Sequence, residues 1–431
     1  MTDVAATNTP AHTRPASVGM VLAIGGAAGF LLFGYEFVRA VSSSLFIGAF
    51  GAERLPIVMA LAPVATVAFV YGFGFLLSRL GARHALSVTS LFSAAVVLAC
   101  YVALWAKLSL AAGVLYVFRE AYIVVLVEQY WSFINSSFSK GQARWTNGPI
   151  TGLGSLGAMA GGYTVKTCAA GLGSETLLLF AAASLIPAAL LSSLAYRLGG
   201  EPQPASDEKG GRHGHLALGL FRSPYLVLLA LLIIATQVVS TALDLRFSSL
   251  VQEVITVKDQ RTAYFGGFYF SLNCVAFGLQ FVVTPLLLRI LPLWLIHAAI
   301  PGIHVAAGTA LLLTPTLSVG AIAFLLFKAF DYSLFRAAKE ILYIPLSYDA
   351  RYRAKSLIDA FGYRFAKGST SGLLALATAV FGKLPVAVYP ILAIAAAVTW
   401  LPMAVTLALW KRLPGQRDAS APPPADSAPA A

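Results

Sequence analysis

The chain has 431 residues, of which 58% are hydrophobic and 11% are charged, with a formal net charge of +12. Soluble domains carry about 25% charged residues, so a water-exposed globular fold is excluded. The apolar residues fall in runs of about 20 to 30, long enough to cross roughly 30 Å of hydrocarbon. They lack the two-residue alternation of a membrane β-barrel.

Residues 1–17 are polar and read as a disordered cytoplasmic N-terminus without a cleavable signal or transit pattern. Apolar runs then predict spans over 18–48, 53–79, 83–106, 109–137, 145–168 and 174–197. The Gly-rich, charged stretch 199–222 breaks the pattern as a cytoplasmic central loop. Six more spans are predicted over 223–252, 262–288, 291–314, 317–345, 354–381 and 384–410. The Pro/Ala/Ser-rich residues 412–431 read as a disordered cytoplasmic tail. The domain organisation is thus a six-helix half over 18–198, the central loop, and a second half over 223–411.

Lysines and arginines set the orientation. Arg79, Arg83, Lys140, Arg144, Arg197, Arg222, Arg289, Arg351, Arg353 and Lys355 fall on one side, with those of both termini and the central loop. Only Arg54, Lys107, Lys166, Lys258, Arg261 and Lys383 fall on the other. The bias places both termini in the cytoplasm, with a bacterial inner membrane as the expected location. It also accounts for the positive charge without a nucleic-acid partner.

A repeat offset of about 210 residues relates the halves. Arg79 is echoed by Arg289, Glu120 by Asp331, and Glu36 with Arg39 by Asp244 with Arg246. The expected fold class is an all-α membrane protein of about twelve helices in two six-helix pseudo-repeats, as in major-facilitator-type carriers.

The ionisable residues inside these spans are Glu36, Arg39, Arg119, Glu120, Glu128, Asp244, Arg246, Lys328, Asp331, Arg336, Lys339, Glu340, Asp359, Arg364 and Lys367. Each mid-membrane charge facing lipid costs roughly 2.5–3.5 kcal/mol, so together they would cost on the order of 40 kcal/mol. They must pair, snorkel or line a wet cavity. Glu36 and Arg39, three apart, are placed to neutralise each other. Lys328, Asp331, Tyr332, Phe335, Arg336, Lys339 and Tyr343 recur at spacings of three and four, which predicts one polar-aromatic stripe along the tenth span. Lys367 lies in FAKGSTSG (365–372), where small residues admit close helix approach. A cation there suits a phosphate or carboxylate, and a salt bridge from Lys367 to Asp244 or Asp331 is the structural alternative.

No nucleophile with a base, P-loop or metal-ligand cluster is present, so neither an enzyme nor a cofactor is expected. The glycines of GLGSLGAMAGG (152–162) lie in a span and read as helix packing. Cys100, Cys168 and Cys274 are isolated and read as buried free thiols.

Several stretches resemble one family. DYSLFRAAKEILYIPL (331–346), RYRAKSLID (351–359) and Lys367 are similar to the C-terminal signature of the ATP/ADP translocases of plastids and intracellular bacteria. YEFVRAVSSSLFI (35–47) resembles their first span, and YWSFIN (130–135), QAR (142–144) and GLG (152–154) their fourth-to-fifth span region. The resemblance implies nucleotide exchange that depends on charged residues within the spans. By position, Lys367 matches the lysine of the penultimate span, and Asp244 the acid of the seventh. Glu120 falls at the fourth-span acid with a one-residue gap, and Lys339 and Glu340 match the pair before YIPL. The chain departs at Ser42, where the family has lysine, and at Asp331 and Arg336, where a family lysine and aspartate exchange sign.

The expected function is secondary transport of a small anionic solute (a nucleotide, phosphorylated or carboxylate compound) by an alternating-access monomer with altered substrate. A true nucleotide exchanger is the alternative, and a non-transporting sensor or assembly protein the rival class. Lys367, Lys339, Arg336, Tyr343 and Arg39 are the expected substrate-binding residues. Asp244, Glu120, Asp331 and Glu36 are the expected counter-charges or coupling groups.

Overall fold

A computed structural model describes residues 17–138, 140–200, 223–344 and 362–410. Among these every regular element is helical. In chain order they are α1 (Val18–Phe50), α2 (Leu55–Trp105), α3 (Leu110–Ser137), α4 (Lys140–Leu172) and α5 (Leu177–Gly199), then α6 (Pro224–Val254) and α7 (Lys258–Ile290). The remainder are α8 (Leu293–Leu313), α9 (Leu317–Tyr332), α10 (Leu334–Leu342), α11 (Tyr363–Phe381) and α12 (Val388–Leu409).

Among the described residues, twelve spans follow from how two of these elements bend. α2 turns at Gly81, whose φ of 74° and ψ of 167° are open to glycine without a Cβ penalty, and so contains the predicted second and third spans. α9 and α10 meet at 43° across Ser333 and form one broken span. Among the described residues eight helices are long and apolar enough to cross a membrane alone, and the broken pair makes a ninth. The second limb of α2 adds a tenth. α4 and α11, rich in Gly, Ser and Thr, supply the last two. α7 carries a π-helical turn over Leu279–Val283. Side chains such as Leu373, Leu376 and Val380 of α11 are exposed along one face, as lipid contact requires. The chain is an integral membrane protein. The first part of the eleventh predicted span, with Asp359, lies outside the described residues, as do Arg351, Arg353 and Lys355, the tail and most of the central loop.

Helix contacts divide the chain into two units, Met1–Ser42 with Thr66–Lys209 and Ser43–Ala65 with Gly210–Ala431. In the first, α1 and α4 approach to backbone contact. A Cβ on Gly157 would overlap the carbonyl of Gly29, and one on Gly161 that of Phe33. The glycine run therefore serves packing. Phe133 meets Tyr196 at 4.4 Å between ring centroids, locking α3 to α5. Arg83 donates through Nε to Ser193 at 2.9 Å.

In the second unit, Phe247 is the centre of an aromatic core, 4.4 Å from Phe268 and 5.5 Å from Phe324. Tyr225 donates to the Leu342 carbonyl at 2.5 Å and stands edge-on to Trp410. Gly368 of the FAKGSTSG segment admits Pro63, where a Cβ would come within 2.5 Å of that ring. Of the three thiols, Cys100 is buried as expected. Cys168 and Cys274 are only half-buried, because each sits on a helix face that the packing leaves partly open.

Candidate functional site: charged side chains within the spans

The first unit gathers its charges around Arg119. This side chain is buried, 4% exposed. Its Nη1 donates to the Ser42 hydroxyl and to the Arg39 carbonyl, each at 2.8 Å. Its Nε donates to Glu120 Oε1 at 3.2 Å, and its guanidinium lies 3.8 Å over the Tyr116 ring. Arg39 in turn faces Glu36 at 3.7 Å and Tyr35 at 5.8 Å. Two acids and two arginines thus form one neutral cluster on α1 and α3, and the i,i+3 pairing of Glu36 with Arg39 is present. Desolvated charges of this kind persist only when paired and hydrogen-bonded. Glu128, further along α3, is exposed and has no ion pair among the described residues.

The second unit carries its charges on α6, α9, α10 and α11. Lys328 donates to Ser240 Oγ at 3.0 Å and lies among Phe324, Phe327 and Tyr332, with its ammonium 5.6–5.8 Å from their centroids. Lys339 is buried, 5.0 Å from the Tyr363 centroid and 5.8 Å from Tyr343. Arg336 is exposed and Lys367 half-buried. Asp244 and Asp331 are half-buried, and neither has a cation within 4.0 Å among the described residues. The alternative salt bridge from Lys367 to either acid is therefore not formed. Arg246 is held by Glu253 at 3.0 Å and by Ser249, towards the end of α6. No group of three metal-ligating side chains converges among the described residues.

The single stripe expected along the tenth span is interrupted. Ser333, at φ −126° and ψ −98°, ends α9 and restarts the chain as α10 in a new direction. Lys328 and Asp331 belong to one rod, Arg336, Lys339 and Tyr343 to another. Burial divides them too, with Phe335, Lys339 and Tyr343 enclosed and Tyr332 and Arg336 exposed. A helix period continued through Ser333 cannot anticipate that change.

Three groups escaped the sequence reading. Ser240 lies four residues before Asp244 on α6, a spacing that places both on one face. Arg261, expected in an exposed loop, is 4% exposed. It donates through Nη2 to the Ser44 carbonyl at 2.8 Å and through Nε to Ser44 Oγ at 3.2 Å, while that hydroxyl donates to the Lys258 carbonyl at 2.9 Å. His304 and Trp400 are buried beside Asp331, and nothing in their local sequence marks them.

Helices of this kind define a polytopic membrane fold, and solved structures share it. The chain superposes on a D-xylose-proton symporter with a TM-score of 0.63 at 13% identity, covering 94% of this chain and 100% of that one. It superposes on the nucleoside transporter NupG with a TM-score of 0.61 at 12% identity, covering 92% and 100%. The fold is that of the major facilitators. Residues 213–411 match the model of the TLC ATP/ADP transporter family. ADP,ATP carrier protein 1 of Chlamydia trachomatis is 29% identical over 215 residues, 44% of this chain and 40% of that protein. ADP,ATP carrier protein 1 of Rickettsia conorii is 30% identical over 170 residues, 34% of each. The chain thus spans about two fifths or less of the length of these relatives.

Proposed function

We propose that this protein is a secondary carrier for a small anionic solute, working by alternating access as a monomer in a bacterial inner membrane with both termini cytoplasmic. The observation that carries the reading is the placement of Lys328, Arg336, Lys339 and Lys367 within the spans of the second unit, where no carboxylate among the described residues lies within 4.0 Å of Lys328 or Arg336. A lysine about 4 Å from an anionic oxygen gains about 4 kcal/mol at an effective dielectric near 20. Lys367, Lys339, Arg336 and Tyr343 are the groups assigned to the solute in the second unit, and Arg39 in the first. Asp244, Asp331, Glu36 and Glu120 are the counter-charges that replace the solute when it leaves. No enzymatic step is required of any of them.

The name of the relatives makes a nucleotide the first solute to try. Ser42 and the opposite charges at Asp331 and Arg336 favour a different anion, since they remove one cation and relocate another. Proteoliposomes loaded with ADP and offered labelled ATP decide between the two. Robust counter-exchange establishes the nucleotide reading; its absence, with uptake of labelled inorganic phosphate or a dicarboxylate, establishes the altered one. In either case Lys367→Ala abolishes uptake while the purified protein keeps its helical content and monodispersity. Wild-type rates in that variant would remove Lys367 from the mechanism.

A further inference from the structure

Among the buried polar atoms that the carrier reading leaves without a role, His304 and Trp400 lie beside one of its acids. Beside Asp331, a pocket between α8, α9, α10 and α12 is walled by Phe327, Phe330 and Phe335, with His304 and Trp400 as its other polar groups. His304 and Trp400 are each 1% exposed. Neither ring nitrogen of His304, nor the indole N–H of Trp400, has a hydrogen-bond partner among the described residues. The imidazole lies 5.6 Å from the Trp400 ring at an interplanar angle of 23°, and 5.1 Å from Phe327. Buried polar atoms are nearly always paired. A structural histidine has its tautomer fixed by a hydrogen bond on one nitrogen, whereas this ring keeps one acceptor and one donor unengaged.

Asp331 is the acid that shares the pocket with the ring, and no hydrogen bond joins the two in this structure. Its carboxylate lines the same pocket, and the ammonium three residues before it, Lys328, is turned to Ser240. We propose that this pocket is a proton-binding site, in which Asp331 and His304 share one exchangeable proton beside the indole N–H of Trp400. With the proton on Asp331 the pair is neutral. Transfer breaks the carboxyl O–H bond and forms an imidazole N–H bond, giving a carboxylate and an imidazolium with no change in total charge. Loss of the proton leaves the carboxylate alone, with the indole N–H and the neutral imidazole as its donors.

The cations nearest the pair along the chain are Lys328 on α9 and Arg336 and Lys339 on α10. His297 is the other titratable group on the same face of α8, and α12 adds none to the lining. On α6, Asp244 and Arg246 stand four and six residues beyond Ser240, with Arg246 already held by Glu253. An anion that engages the lysines and Arg336 weakens their hold on Asp331, so anion and proton bind with positive cooperativity, and the linkage is reciprocal. The site goes beyond the carrier reading, and its test requires no transported solute.

Infrared difference spectra of the purified full-length protein between about pH 5 and about pH 8 read the site directly, in the range where an imidazole ordinarily titrates. The expected spectrum contains the carbonyl stretch of a buried protonated carboxyl, lost in Asp331→Asn. The band shifts in His304→Gln and in Trp400→Phe, because each removes a hydrogen-bonding neighbour, and it is unmoved in Lys367→Ala. A wild-type spectrum with no carboxyl or imidazole band overturns the proposal without recourse to any variant. So does a carboxyl band that survives Asp331→Asn, or one that neither His304→Gln nor Trp400→Phe moves.

Discussion

Arg119 and Ser42 are joined by a 2.8 Å hydrogen bond from the guanidinium to the hydroxyl, and the same nitrogen also reaches the Arg39 carbonyl. The serine stands where the resemblance leads one to expect a lysine. A lysine at 42 would set a second cation against a buried arginine, and the serine instead makes an acceptor. Arg119→Ala strips the cluster of its central cation and leaves Glu120 and the Arg39 carbonyl short of a donor. The expected cost is about 3 kcal/mol, measured as a lower unfolding temperature of the detergent-solubilised protein. Ser42→Ala removes one acceptor and costs about 1 kcal/mol. Ser42→Lys is expected to destabilise more than Ser42→Ala.

Arg261 fastens the last two turns of α1 to the start of α7 through two nitrogens of its planar head, Nε and Nη2. Arg261→Lys keeps the charge but cannot span both Ser44 Oγ and the Ser44 carbonyl. A loss of about 2 kcal/mol is expected on thermal unfolding. Ser44→Ala removes only the hydroxyl, leaves the carbonyl contact, and costs about half as much.

Close approach of α1 and α4 tolerates no side chain at Gly157 or Gly161. Gly157→Leu drives a branched chain into the backbone of Gly29 and is expected to abolish monodisperse expression. Gly152→Ala, where a Cβ meets open space, is expected to leave expression and stability unchanged. Size-exclusion profiles of the two variants test the contrast.

Lys328→Met removes the bond to Ser240 and the cation nearest Asp331 in sequence, while its apolar stem still packs among Phe324 and Phe327. Transport of whichever anion proves active is expected to fall at least about tenfold, the equivalent of 1.4 kcal/mol in the rate-determining complex. Ser240→Ala, which leaves the ammonium in place, is expected to change transport by less than about threefold. Uptake rates at saturating and limiting solute separate the two.

Much of the architecture was legible because the bilayer imposes a length and an apolar composition on every span. The predicted 109–137 meets an observed Leu110–Ser137, and the predicted 174–197 an observed Leu177–Gly199. Even the division of a 51-residue helix into two spans at Gly81 follows from Arg79, Gly81 and Arg83 in one short stretch. The pairing of Glu36 with Arg39 was equally accessible, since i,i+3 contacts are local. The contacts that run between distant segments were not. Arg119 reaches Ser42 across 77 residues, and Arg261 reaches Ser44 across 217. Arg261 reads as a loop charge by its neighbours alone. Buried His304 and Trp400 are ordinary apolar-face residues until tertiary packing sets them beside Asp331.

The interruption at Ser333 has a mechanical consequence. Its hydroxyl donates to the Ala329 carbonyl at 2.5 Å, which satisfies one of the acceptors that the broken helix exposes. The joint is thus stitched at little enthalpic loss, and the two rods meeting there act as separate levers. A tilt of the rod bearing Arg336 and Lys339 need not drag Lys328 with it, so those two charges can swing while Lys328 keeps its bond to Ser240 of α6.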